Sequence, residues 1–267
     1  MSMAFYKNAA MAHITSSRML LRDDIEEALA KMLFRPLEKQ QRISEGFVSP
    51  VTVLPADELT YTVNQCVFFA YRSDEKVIPK SAINQLVAAK AKEIEEKEQR
   101  KVGRKERKIL QEQVLDEVTP NALPKQSLLR GYFDLRQRML VVDSTSPKKL
   151  EELHGHLRSN LFISNGGGIA FQLLNVNATM SAVMSSWLLE GYTPGNFTID
   201  DEGEIIAAGG EGAQIKIAKQ DMEASDITQL LQAGRVVRKL AMTWNDRIGF
   251  VVATGFNLSK LHWHEKV

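Results

Sequence analysis

Hydrophobic positions repeat with two different periods along the 267-residue chain. The opening "FYKNAAMAHIT" has a strand-like centre. "RDDIEEALAKMLF" then places Ile25, Leu29, Met32 and Leu33 at helical spacing behind an acidic first turn of Asp23 and Asp24. A strand followed by an amphipathic helix is predicted. "GFVSP" reads as a turn, "ELTYTV" as an alternating strand, and "CVFFAYR" as a strand apolar on both faces, hence central in a sheet. "YFDLRQRMLVVD" returns to β-pattern. "TSPKKLEELHGHLRSNL" follows as a helix, with Ser146 as N-cap, Pro147 at the first position, and Leu150, Leu153 and Leu157 on one face.

Between these blocks, residues 80–118 contain no proline and are rich in Ala, Lys, Glu, Gln, Leu and Arg. That composition predicts a helical hairpin or a long broken helix. Gly103 marks the break, because "KVGRK" carries no apolar stripe to hold a turn against a core. Such an arm projects from the body. Further on, glycines punctuate "NGGGIAF", "VMSSWLLEGY" and "GEIIAAGGEGAQIKIAKQD" where tight turns fall. Ser225 is expected to cap "DITQLLQA", with Gly234 as its left-handed C-terminal residue. "RVVRKLAMTW" and "IGFVVATGF" flank "NDR" as a hairpin, and "LSKLHWHE" forms a last strand. The pattern describes an α+β body with a helical insertion.

Composition is that of an ordinary globular chain, with 44% hydrophobic and 25% charged residues and a formal net charge of +1. An anionic partner must therefore be met by a local patch. The lone Cys66 excludes an intrachain disulfide framework and a multi-cysteine zinc site. The start lacks a basic segment followed by a continuous apolar run, and no run approaches the ~20 residues of a membrane span. A cytoplasmic protein with no membrane partner is expected.

Candidate chemistry is sparse. Neither glycine cluster has phosphate-loop spacing, and there is no Gly-x-Ser-x-Gly elbow. Of two His-x-His pairs, His154 and His156 lie on a helix and point apart. His262 and His264 share a strand face and, with Glu265, form the one credible metal-binding set; a solvated strand end explains them equally well. The acidic neighbours Asp23/Asp24, Glu95/Glu96 and Asp200/Asp201 diverge on helices or strands and make poor acid/base pairs. Nothing demands an enzyme, a cofactor or a metal. Positive charge is dense twice: at Arg100, Lys101, Arg104, Lys105, Arg107 and Lys108 around Gly103, and at Lys216, Lys219, Arg235, Arg238 and Lys239. Charge runs are usually solvated faces, yet either group could track phosphates if it converges in space.

The segments "FYKN", "GFVSP", "EKVIPKSAINQLVAAKAKEIE", "LVVDSTSPKKLEEL" and "AKQDMEASDITQLLQAGRVVRKLAMTWNDRIGFVV", in this order over nearly the full chain, resemble the recombination-associated protein RdgC family. The resemblance implies an α+β fold of antiparallel sheets with packed helices and a projecting helical arm. Its regions would be a centre (1–78 and 120–164), a tip arm (79–119) and a base (165–267). It also implies a non-enzymatic, nucleoid-associated homodimer, ring-shaped, that takes double-stranded DNA with little sequence preference and restrains RecA-type recombination. The Lys-Gln-Asp motif of that family carries over DNA binding to Lys219 and Gln220. The family pattern continues past the last strand with a helical segment, whereas this sequence stops at "LHWHEKV", so a contribution to the dimer is expected to be missing. Leu123 stands where the family places an aromatic dimer contact. A recombination or nuclease modulator acting mainly by protein contact is the alternative.

Overall fold

The computed structural model describes residues 6–16, 19–51, 58–165, 169–174, 178–193, 195–209 and 212–264. In chain order the elements are β1 (Ala10–Ser16), α1 (Arg22–Ala30), β2 (Ile43–Val48), β3 (Tyr61–Val63), β4 (Cys66–Lys76), α2 (Lys80–Glu98), α3 (Arg104–Val118), β5 (Pro124–Asp134) and β6 (Met139–Val142). They continue with α4 (Pro147–Asn165), β7 (Ile169–Leu173), α5 (Met180–Glu190), β8 (Phe197–Ala207), β9 (Ile215–Ala218), α6 (Ser225–Gln232), β10 (Arg235–Trp244), β11 (Ile248–Ala253) and β12 (Asn257–Trp263). The fold is α+β with two antiparallel sheets, one of order β2-β4-β5-β6-β1-β7 with β3 on β4, the other of order β12-β11-β10-β8-β9. As its pattern predicts, β4 is central.

The chain divides into two compact units. The first comprises Met1–Ala28, Thr60–Phe69 and Leu129–Val267. Here α5 and α6 cover one face of the five-stranded sheet, burying Met184, Leu188, Ile227 and Leu231 against Ile205, Ile217, Val237, Leu240, Met242 and Val252. Each such side chain contributes about 1.5–3 kcal/mol of burial. With one face spent on this core, alternate residues of the same strands are turned to the opposite, solvated face. The mixed segment "VMSSWLLE" resolves as helix α5, since Thr179 accepts a hydrogen bond from the Ala182 amide at 3.2 Å and Gly191 closes the other end at φ 62°.

The second unit comprises Leu29–Leu59 and Ala70–Leu128 and corrects two expectations. "GFV" is not a turn but the end of β2, paired in register with Ala70–Arg72 of β4. Helix α1 stops at Ala30, short of Met32 and Leu33, because residues 32–34 leave the helix to run along β2. The Phe47 amide donates to the Met32 carbonyl at 2.8 Å, and the Phe34 amide donates to the Phe47 carbonyl at 3.0 Å. Gly46 serves this close approach: a Cβ there would stand 2.5 Å from the Phe34 Cα. Local spacing lost to backbone pairing.

Gly46→Ala should therefore destabilise the protein by about 1–3 kcal/mol, as overpacking against backbone does. Gly155→Ala, at a helical site with nothing within 4 Å of the added carbon, should stabilise by about 0.5–1 kcal/mol. Urea denaturation of both variants checks the contrast.

Candidate nucleic-acid interface

The solvated face of the five-stranded sheet is built around one acid. Strand β8 runs between β9 and β10, and Glu204 lies opposite Lys216 on one side and Lys239 on the other. Directly opposed residues share a face, so these three side chains emerge together. Register slips between Val237 and Lys239, leaving Arg238 as the extra residue of a β-bulge. Strict alternation would send Arg238 and Lys239 to opposite faces, but the bulge brings both to Glu204. Lys239 Nζ donates to Glu204 Oε2 at 3.0 Å, and Arg238 Nη1 stands 3.2 Å from Oε1 in an ion pair without hydrogen-bond alignment. Three cations around one carboxylate leave this patch a net charge of +2.

Beyond β9 the chain turns sharply. Lys219 takes a left-handed backbone, φ 57°, and the Gln220 amide donates to the Asp201 carbonyl at 3.3 Å, fixing the turn to β8. Lys219 is exposed, and its amine has no hydrogen-bond or ion-pair partner among the described residues. Gln220 Nε2 donates to Asp226 Oδ2 at 2.8 Å, and Asp221 accepts from the Glu223 amide at 2.8 Å. Ser225 is the first residue of α6 rather than its cap; Ala224 occupies the cap position with no side-chain bond, and Asp226 supplies the acidic first turn. Arg235 is not grouped with the others. It shares strand parity with the core residue Val237, and its Nη1 donates to the Ala213 carbonyl at 3.0 Å.

The arm is a hairpin of α2 and α3 joined through Gly103, the N-cap of α3. The sequence predicts no apolar anchor in its turn, yet Val102 is buried with Ala91 and Leu110 and its amide donates to Glu95 Oε1 at 2.9 Å. A single valine, invisible to a periodicity argument, holds the end of the arm. The six basic residues divide accordingly. Arg100 bonds Glu106 at 2.7 and 2.8 Å and Glu98 at 2.7 Å, and Arg107 stands 3.8 Å from Glu95. The Glu106 and Glu98 carboxylates hold the Arg100 guanidinium still more firmly protonated, and Arg100 holds the Glu106 carboxyl below its ordinary range. Lys101, Arg104, Lys105 and Lys108 are exposed, with no side-chain partner among the described residues. Leu123 is 82% exposed.

The histidine pairs separate as their elements dictate. His154 stacks on Phe171, centroids 5.1 Å apart, and burial, then Arg158, lower its pKa below the ordinary value; it is a packing histidine. His262 lies in β12 over Gly249, with its ring 4.8 Å from that of His264; Glu265 lies outside the described residues. Asp200, Asp201 and Glu202 line the same depression, of about 390 Å³, as His262, His264 and Lys260. The expected divergence of Asp200 and Asp201 fails because a second register slip gives β8 three residues there against one in β10. Asp200 accepts from the Thr243 hydroxyl at 2.9 and 3.2 Å, and Glu202 pairs with Lys260. No three of these side chains hold their ligand atoms within 4.8 Å of one another. A larger cleft of about 570 Å³, which includes all three tryptophans in its wall, has no carboxylate, amine or thiol in its lining.

A family model described as "RdgC: Putative exonuclease, RdgC" matches residues 4–267. The chain belongs to the RdgC family. Similar relatives are the recombination-associated protein RdgC of Neisseria meningitidis serogroup C, 29% identical over 97% of this chain and 84% of the relative, and that of Burkholderia cenocepacia, 30% identical over 96% and 81%. The RdgC of Burkholderia ambifaria is 29% identical over the same shares. The two descriptions, an exonuclease in one and association with recombination in the other, correspond to different chemistry. No helix among the described residues is long and apolar enough to cross a membrane. Glu204 and Asp226, which hold the cations and the glutamine of this RdgC-family chain, were not singled out by sequence reasoning. A glutamate inside the apolar run "GEIIAA" was the available signal, since such residues are rarely buried unless paired.

If Val102 anchors the arm of this RdgC-family chain, Val102→Ala should cost about 1–2 kcal/mol of local stability. Limited proteolysis should then cut between Gln99 and Gly103 faster than in the wild type, while the rest of the chain keeps its fragment pattern.

Proposed function

We propose that this chain is a sequence-nonspecific duplex DNA-binding protein, a clamp- or ring-like homodimer that restrains RecA-type recombination by occupying the DNA a recombinase needs. The observation that carries the reading is the convergence of Lys216, Arg238 and Lys239 on one sheet face, with the exposed Lys219, unpaired among the described residues, and the exposed Gln220 following β9. Duplex DNA presents a regular array of phosphates, and nonspecific affinity for it comes from cations that replace condensed counterions. A patch of this kind supplies that term in a chain whose net charge is only +1. The relatives' name, recombination-associated protein, supports the biological setting. Within this reading 79–119 is a tip arm, 1–78 and 120–164 a centre, and 165–267 a base. Lys101, Arg104, Lys105 and Lys108 give the arm a second phosphate-tracking surface, whereas Arg100 and Arg107 are engaged in the arm's own ion pairs. Leu123, exposed after the arm, is the proposed dimer contact, and the protein works at the nucleoid.

Lys219 acts as a phosphate contact and Gln220 as a neutral donor, with one amide hydrogen engaged by Asp226 and the other left for phosphate or sugar. These roles separate under salt. Lys219→Ala should weaken binding on all sequences and lower the magnitude of the salt slope by about 0.9, whereas Gln220→Ala should weaken binding with the slope nearly unchanged. Fluorescence anisotropy on a short duplex at several salt concentrations reads both, and unchanged affinity in both variants refutes the assignment.

One observation favours a second reading, a metal-dependent nuclease: Asp200, Asp201, Glu202, His262 and His264 line one depression. Their ligand atoms are not gathered as a preformed metal site requires. Incubation of the pure protein with plasmid and either Mg²⁺ or Mn²⁺ should leave the plasmid intact. Metal-dependent nicking lost in His262→Ala would establish the second reading.

A further inference from the structure

We infer that Glu204 is a positioning residue for phosphate recognition: buried beneath a local cluster of cations on the sheet's solvated face, it fixes Arg238 and Lys239 side by side. This rests on the DNA-binding reading above and adds to it a residue of the opposite charge. Its carboxylate side chain is only 6% exposed, while those of Arg238 and Lys239 are 47% and 44% exposed. The acid is thus shielded from an approaching anion, and the cations reach over it into water with their charged ends turned back to a common point.

Three features make this more than a surface ion pair. Glu204 is opposed in register by a lysine on each side, Lys216 and Lys239. The bulge adds Arg238, which no regular strand could place there. Each carboxylate oxygen faces its own cation, Oε1 toward Arg238 and Oε2 toward Lys239, so the separation of the two charges follows the width of one carboxylate. Long basic side chains lose rotamer freedom when they bind. A buried acid that already restricts two of them lowers that loss when phosphates arrive.

The inference makes a prediction opposite to that of simple charge. Glu204→Gln removes a negative charge, and on electrostatics alone it should tighten binding to DNA and steepen the salt dependence. If Glu204 positions the cations, the same change should weaken duplex binding about fivefold, the scale of coupling between contacting groups. Glu204→Asp keeps the charge and withdraws it by one methylene, so it should weaken binding as well, and it serves should the Gln variant prove poorly folded. Arg238 and Lys239 are half exposed and can rehydrate, so Glu204→Gln, which leaves no buried charge behind, should change thermal denaturation little, while Glu204→Asp, which keeps a buried carboxylate with weaker partners, should lower the melting temperature.

The test uses the full chain and a short duplex of mixed sequence, with anisotropy titrations at several salt concentrations and a melting curve for every variant. In an Arg238→Ala/Lys239→Ala background, Glu204→Gln should have no further effect on affinity, because nothing remains for it to position. Tighter or unchanged binding by both single variants overturns the inference, as does a loss that persists in the double-alanine background. Duplex binding that Arg238→Ala/Lys239→Ala leaves unchanged overturns the inference and removes these two residues from the proposed contacts, so that the DNA-binding reading would rest on Lys216, Lys219, Gln220 and the arm. A wild-type chain with no measurable duplex affinity overturns both.

Discussion

Antiparallel pairing of β8 with β10 governs what the sheet of the first unit can display. In regular pairing, successive side chains alternate between the two faces, so a strand with one face in a core offers every second residue to solvent. The core here fixes that parity. Ile205, Val237, Leu240 and Met242 must all face α5 and α6, and a slip of one residue would move each of them into water. Two neighbours can therefore reach the solvated face together only where pairing is interrupted. The pair has two such interruptions, and each gathers charges that are adjacent in sequence. At one, Arg238 joins Lys239 on Glu204; at the other, Asp200, Asp201 and Glu202 come to one depression.

The turn after β9 depends on the same frame. Lys219 adopts a left-handed backbone without being glycine, a conformation that costs energy and that its surroundings must enforce. Bonds on either side do so: the Gln220 amide to Asp201 of β8, and the Gln220 side chain to Asp226 of α6. Because α6 is itself anchored through buried Ile227 and Leu231, the motif is tied to the core at both ends. An exposed lysine next to a fixed glutamine is thus a consequence of how the strand is joined to the helix. The arm achieves order differently, with a small cluster of Val102, Ala91 and Leu110 and a set of exposed ion pairs, each of which adds little to stability.

Much of this was legible in the sequence. Apolar spacing and acidic first residues marked α1, the Pro147 start marked α4, composition and Gly103 marked the arm, and "NDR" marked the β10–β11 hairpin. What was not legible depended on pairing between distant segments. "GFVSP" resembles a turn because glycine and proline punctuate it, and only the approach of the Phe34 backbone shows Gly46 to be a strand residue. Ser225 has the chemistry of a cap, but the chain enters α6 one residue earlier. Val102 is one apolar residue among cations, with no period to reveal it. Charge density alone singles out the cationic residues; nothing local announces the bulge that assembles Arg238 and Lys239, nor that Arg235 belongs to the other parity. Bulges are properties of a strand pair, and one strand's sequence carries only half of the information.

A chain with a net charge of +1 cannot rely on its overall field to attract an anion, so arrangement must do what total charge does not. The same is true of the charges themselves. A lysine or arginine free in water samples many rotamers, and ordering each on binding costs about 0.5–1.5 kcal/mol. A buried glutamate beneath two of them subtracts from the attraction, since it is itself negative. It also restricts their motion before any ligand arrives. Which effect is larger depends on depth. An acid as exposed as its partners would mainly cancel them, whereas one with 6% of its side chain exposed is kept from the ligand by the cations above it. The burial of Glu204 therefore favours order over cancellation, and it makes the carboxylate as much a part of the basic surface as the cations it holds.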